Sequence, residues 1–180
     1  NFEFRPDRFP DPKGMIDELH ALGFKVMLWV CPFVSPDSQE FRWLREKGYL
    51  VKAADGSRPA ILDWWNGLSA CYDLSNPEAF EYYRSVLVQM QEEFGVDGFK
   101  FDGGNIDFYS QSITGEVLGD HTPAELNIAW NTFAAKYDYH EYKDTFKGAS
   151  LNTIQRLSDR FHLWQNGLDT VIPQSLAQGI

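Results

Sequence analysis

Cysteine is scarce in this chain: Cys31 and Cys71 are the only two among 180 residues. They supply no disulfide framework, and neither stands in a spacing that holds a metal. Cys31 ends an apolar run and reads as a buried thiol. Histidine is nearly as rare, with four scattered residues. His162 has no partner at ligand spacing and reads as a solvated or core histidine. Positive charge is also short. Lys and Arg number 16 against 26 Asp and Glu, a formal net charge of −10. That balance argues against nucleic acid or an anionic membrane as partner, since both need a positive surface. No apolar run approaches a membrane span, and the opening NFEFRPDRFP lacks the basic and apolar regions of a signal peptide. A Gly-rich phosphate fingerprint is missing from every strand-to-helix turn, which disfavours a nucleotide-binding doubly wound sheet.

Aromatic residues, by contrast, are plentiful. Six Trp, eight Tyr and fourteen Phe make up 16% of a chain that is 43% hydrophobic, enough for one packed core and too apolar for disorder. Flat rings suit the apolar faces of sugars, although most of them read as core.

The chain repeats one grammar. In DPKGMIDELHALGFKVMLWVCPFV, Asp11 is an N-cap, Pro12 fits the first helical position, and Met15, Ile16, Leu19 and Leu22 recur at helical spacing before Gly23. The nearly continuous apolar run Lys25 to Val34 predicts a strand covered on both faces. Asn76 and Pro77 open a second helix, with Phe80, Tyr83, Val86, Leu87 and Met90 on its apolar face, closed by Gly95 and followed by the strand VDGFKFD. Thr122, Pro123 and Glu125 form a capping box. A short extended stretch follows around SLNTIQRL, then a last helix from near Leu168. Helix, glycine and buried strand at this interval predict a parallel sheet with crossover helices. The expected fold is an α/β (β/α)8 TIM barrel present only in part. About three or four units fit 180 residues, against roughly 250 for the closed barrel. A start without Met and an end in mid-helix read as an excerpt, one partial catalytic barrel domain over residues 1–180.

Asp102 is the sharpest chemical candidate. It ends the strand, and Gly103 and Gly104 let backbone and ligand approach. Lys100, two residues earlier, shares its strand face. Locally, Asp102 is either a reacting carboxylate or the cap of the next turn, and Lys100 either its electrostatic partner or half of a structural pair. In QRLSDRFHLW, Arg156 and Asp159 stand three apart, with Arg160 close behind. They form either a second carboxylate with its substrate-binding arginine or a surface salt bridge. Trp29, near the end of the first strand, and Trp64 and Trp65, in what reads as a loop, are candidate sugar platforms. Asp63 and Asp73 read equally as loop formers or ligands.

The ordered set FPDPKGMIDELHALGFKVMLWVCPFV, DLSNPEAFEYYRSVL and GVDGFKFDGG resembles the catalytic barrel of glycoside hydrolase family 31, through nearly the whole chain. That family contains retaining α-glucosidases, α-xylosidases and α-galactosidases. The resemblance implies that Asp102, in the K-x-D strand end, is the nucleophile. In one branch of the family the acid/base aspartate follows an arginine as R-x-x-D, which makes it Asp159 here, with Arg156 binding substrate. Trp29, Trp65 and Lys100 complete the expected substrate-binding set, on their placement in the sequence rather than on the resemblance. The chain departs from the wider pattern in having Asn105 where many members have Glu, and in lacking the Trp-x-Gly-Asp context of the acid/base residue.

The resemblance implies double displacement at an α-glycosidic carbon, needing no metal and no organic cofactor. The expected partner is a small carbohydrate, an α-glucoside or α-galactoside, with the RLSD pattern leaning toward the latter. Two rivals stand beside it: a carbohydrate-binding barrel without catalysis, and an isomerase-type barrel using Lys100 as a Schiff base.

Overall fold

The computed structural model describes residues 2–110, 121–143, 146–148, 154–157, 159, 163 and 167–179. The first helix, α1 (Pro12–Ala21), starts as expected: Asp11 accepts from the Gly14 N–H at 2.8 Å and Pro12 holds the first position. Strand β1 spans Met27–Val30 and β2 spans Phe33–Val34. The single long strand expected from Lys25 to Val34 is thus broken at Cys31–Pro32. Proline has no N–H to give to a ladder. The chain changes sheets there, and the Pro32 carbonyl accepts instead from the Tyr72 N–H at 2.9 Å.

Next come α2 (Gln39–Lys47), β3 (Leu62–Trp64), β4 (Gly67–Cys71) and α3 (Pro77–Phe94). Strands β2, β4 and β3 form a small antiparallel sheet inserted between β1 and α3. This insertion was not foreseen. Asn76 caps α3 by accepting from the Glu78 N–H at 2.9 Å, and Gly95 ends it, both as expected.

The second half contains β5 (Gly98–Phe101), α4 (Ile106–Tyr109), α5 (Pro123–Ala134), β6 (Tyr139–Tyr142), β7 (Ile154–Gln155) and α6 (Val171–Gly179). A 3-10 turn at Leu168–Thr170 leads into α6. The capping box is present: Thr122 Oγ1 accepts from the Glu125 N–H at 3.2 Å, and Glu125 Oε2 accepts from the Thr122 N–H at 2.7 Å.

Strands β1, β5, β6 and β7 form one parallel sheet in chain order, with Met27 opposite Gly98, Gly98 opposite Tyr139, and Glu141 opposite Ile154. Four parallel strands with crossover helices are part of a (β/α)8 barrel. Helices α1, α3 and α5 cover one face of this sheet. Ile16, Tyr83, Leu87, Trp130 and Phe133 there bury Val30, Phe99 and Phe101. Most of the aromatic surplus lies in this layer, where Tyr83 stacks on Tyr72 and on Phe133 with centroids 4.7 and 5.1 Å apart. The other face is open at Met27 and Trp29, so β1 is covered on one side rather than two. That open face and the strand ends carry the charged residues.

Candidate active site

Asp102 follows β5 directly, and its N–H extends the ladder to the Val30 carbonyl at 2.9 Å. The side chain is 9% exposed. Oδ1 accepts from the Gly103 N–H at 2.8 Å, and Oδ2 accepts from the Trp29 indole N–H at 2.8 Å. Two cations flank Oδ1: Lys143 Nζ at 3.7 Å and Arg156 Nη2 at 3.9 Å. Lys143 is the first residue after β6, as Arg156 is after β7, where the Arg156 N–H bonds the Tyr142 carbonyl at 2.8 Å. Three successive strands therefore each deliver a charged side chain at the C-terminal end, the face on which (β/α)8 barrels carry chemistry.

Asp159 joins the same group. Its Oδ1 accepts from Arg156 Nη1 at 2.8 Å, and its Oδ2 stands 3.2 Å from Lys143 Nζ. Lys143 and Arg156 thus each touch both Asp102 and Asp159. The Asp102 Oδ1 to Asp159 Oδ2 separation is at most the sum of the two distances to Lys143. The Lys143 ammonium, with Arg156 behind it, holds the Asp159 carboxyl below the usual carboxylate range even though Asp159 is 55% exposed. The salt bridge expected as the bland alternative for Arg156 and Asp159 and their convergence on Asp102 are both present.

Lys100 faces Glu141 Oε1 at 3.9 Å, not Asp102. Glu141 in turn lies 3.0 Å from Arg156 Nε, an ion pair without hydrogen-bond alignment. The lysine beside the Asp102 carboxylate is Lys143. Sequence reasoning missed it together with β6, whose YHEY carries too little apolar character to read as a strand. The helix-to-strand interval was the available signal: β5 begins four residues after α3 ends, and β6 five after α5.

Of the aromatic candidates, Trp29 and Trp65 meet edge to face at 6.4 Å, 43% and 61% exposed. Trp64 is core, packed on Phe33 at 4.6 Å with its indole N–H on Ser69 Oγ at 2.9 Å. Beside Trp29 a cleft of about 360 Å³ opens, lined also by Cys31, Ser35, Ser38 and Tyr72. Cys31 was expected to be a buried thiol but is half-buried at this cleft, with desolvation pushing it up to about 12; the buried cysteine is Cys71. Asp73 is a loop former, accepting from the Ser75 N–H at 3.1 Å, and Asp63 is exposed on β3. Arg160 and His162 lie outside the described residues.

Gly103 and Gly104 have φ of +67° and +69°, the left-handed region that favours glycine. A Cβ on Gly104 would overlap Trp130, and one on Gly103 would press within 3.2 Å of Phe33. The space on the Cβ side of these glycines is filled by the protein's own rings.

The family model of the glycosyl hydrolases family 31 TIM-barrel domain matches residues 1–162. The myogenesis-regulating glycosidase of Mus musculus is 31% identical over 180 residues, 98% of this chain and 25% of its own length. An α-xylosidase of Emericella nidulans is 35% identical over 145 residues, 79% of this chain and 17% of its own. Among solved structures, the cycloalternan-degrading enzyme from Trueperella pyogenes in complex with a covalent intermediate superposes with a TM-score of 0.71 at 25% identity, covering 87% of this chain and 24% of that one. The chain thus spans about a quarter or less of the length of these relatives. Sequence motifs, strand-end placement and these likenesses agree, and the chain belongs to glycosyl hydrolases family 31, in its TIM-barrel domain.

Proposed function

We propose that residues 1–180 are part of the catalytic barrel of a retaining α-glycoside hydrolase, of α-glucosidase or α-galactosidase type, that removes terminal α-linked sugars. One observation carries the reading: buried Asp102 and exposed Asp159 are gathered by the same two cations at the strand ends. Asp102 is the nucleophile. It attacks the anomeric carbon while Asp159 protonates the departing oxygen, and Asp159 then deprotonates the water that releases the sugar. Retention asks for carboxyl groups about 5–5.5 Å apart, and the limit that Lys143 sets on their separation is compatible with that.

The charge count supports a neutral ligand. Lys100, Lys143 and Arg156 stand against Asp102, Glu141 and Asp159 in one connected set, so an uncharged sugar adds no unpaired charge. Trp29 and Trp65 offer ring surface at the same mouth, and Arg156 and Lys100 offer donors for hydroxyls. The relatives' names, an α-xylosidase and a cycloalternan-degrading enzyme caught with a covalent intermediate, support an α-linked substrate and a covalent route.

The test is incubation of the full-length protein with aryl α-glucosides, aryl α-galactosides and the matching 5-fluoro-glycosyl fluorides. Turnover with retained anomeric configuration and a trapped ester on Asp102 is expected. Inverted product, or an ester on another residue, refutes the assignment. Sugar binding without turnover would favour a barrel that binds and does not cleave.

A further inference from the structure

We propose that Lys143 is a positioning residue that times the proton on Asp159 by bridging that carboxylate to Asp102. The inference rests on the glycosidase reading above and adds a residue to it. The Lys143 side chain is 13% exposed, and its Nζ lies 3.7 Å from Asp102 Oδ1 and 3.2 Å from Asp159 Oδ2. Among the described residues it pairs with these two carboxylates and no other. A nearly buried ammonium is costly unless opposite charge compensates it, so its position answers to whichever anions are present.

The other charged groups facing this point behave differently. Arg156 contacts Asp102 at 3.9 Å and Asp159 at 2.8 Å, but Glu141 on β6 also holds it at 3.0 Å. Lys100 on β5 is turned to Glu141. Arg156 keeps a third carboxylate throughout a reaction. Lys143 does not.

That difference matters once chemistry begins. In the first step an Asp102 oxygen bonds to the anomeric carbon, and the bond from that carbon to the leaving oxygen breaks. The leaving oxygen keeps the electron pair and takes the proton from Asp159. Asp102 is now an uncharged ester. Lys143, previously drawn to two anions, has one left and closes on Asp159, which also loses the repulsion of Asp102 at the moment it must be ionised. A water oxygen then bonds to the carbon, its proton passes to Asp159, and the ester bond returns its pair to Asp102. With two anions again present, Lys143 is drawn back toward Asp102 and the repulsion of Asp102 on Asp159 returns, so Asp159 takes a proton more readily for the next cycle than it does beside the ester. Even with both anions present the Asp159 carboxyl sits low, with Lys143 the largest cause, and approach of the lysine beside the ester lowers it further.

The experiment compares the full-length protein with Lys143→Met, Lys143→Gln and Lys143→Arg. In the Met and Gln variants the Asp159 midpoint, followed by carboxyl carbon NMR, should rise. The alkaline limb of kcat/KM, which needs protonated Asp159, should move up by the same amount. The acid limb of kcat for a substrate limited by release of the sugar, which needs ionised Asp159, should move up with it. At neutral pH kcat and KM should fall together as the ester accumulates, and Lys143→Arg should restore both. A lysine that only packs would change stability and leave both limbs in place. An Asp159 midpoint unmoved in a folded Met or Gln variant overturns the inference whatever the activity. Absence of turnover and of a trapped ester in the unaltered protein overturns the glycosidase reading itself, and the timing role with it.

Discussion

The indole N–H of Trp29 reaches across the β1–β5 pairing to Oδ2 of Asp102 at 2.8 Å. Trp29 was expected to contact sugar, and this bond offers it a second role, orienting the proposed nucleophile. The two roles separate in kinetics. Trp29→Phe keeps a flat ring and removes the donor. A hydrogen bond to a charged acceptor contributes about 1.5 kcal/mol, so kcat should fall about tenfold with KM little changed. A rise in KM at constant kcat would instead make Trp29 a platform only. Steady-state rates on one aryl glycoside decide it.

Gly104 tests whether the glycines after Asp102 serve ligand or fold. Its φ of +69° and its contact with Trp130 both resist a side chain. Left-handed backbone costs a non-glycine about 1–2 kcal/mol, and overpacking adds to it. Gly104→Ala should therefore lose at least about 2 kcal/mol in urea denaturation. A variant of unchanged stability with a raised KM would return the glycine to ligand clearance.

What was legible follows from how strongly each signal is tied to short-range chemistry. Caps at Asp11, Asn76 and Thr122 are local hydrogen bonds, and all three stand where the residues placed them. Asp102 was legible because an apolar run ended on an acid before two glycines. Lys143 was not, because its strand buries only His140 and Tyr142 and its partners come from two other strands. Trp64 and Trp65 were read alike as loop residues. Once β3 is recognised, strand alternation turns neighbours to opposite faces, one inward and one outward. The inserted sheet was hidden because β2 and β3 are two and three residues long, too short for a period to register.

Asp97 supports the opposite end of the barrel. It accepts from the Val26 N–H at 2.8 Å and from Lys25 Nζ at 3.0 Å, and it bonds His20 Nε2 at 2.7 Å. Burial pushes its carboxyl up, but the Val26 N–H, Lys25 and His20 outweigh this and hold it at about 2, against an ordinary 3.8. A depressed carboxyl gives stability that is complete above the unfolded value and is lost as pH falls toward the folded one. Asp97→Asn should cost about 2 kcal/mol at neutral pH. The gap from the unaltered protein should hold down to about pH 4 and narrow toward pH 2. A gap that stays constant across that range would mean that Asp97 acts by shape rather than charge.

Asp159 and Asp102 differ in what an outside nucleophile can repair. On the proposed roles, Asp159→Ala removes the proton donor but leaves the attacking carboxylate. Its loss should be about 10²–10⁴-fold for a poor leaving group and small for a glycosyl fluoride, which departs without a proton. The ester then waits for a base that is gone, and azide, which needs none, should capture it. Two inversions give a glycosyl azide of the substrate's own anomeric configuration. In Asp102→Ala the cavity lies on the other face of the sugar, so azide enters once and the product is inverted. Opposite azide anomers from the two variants would fix the roles residue by residue. The same anomer from both would mean that the two carboxylates do not divide the work as proposed.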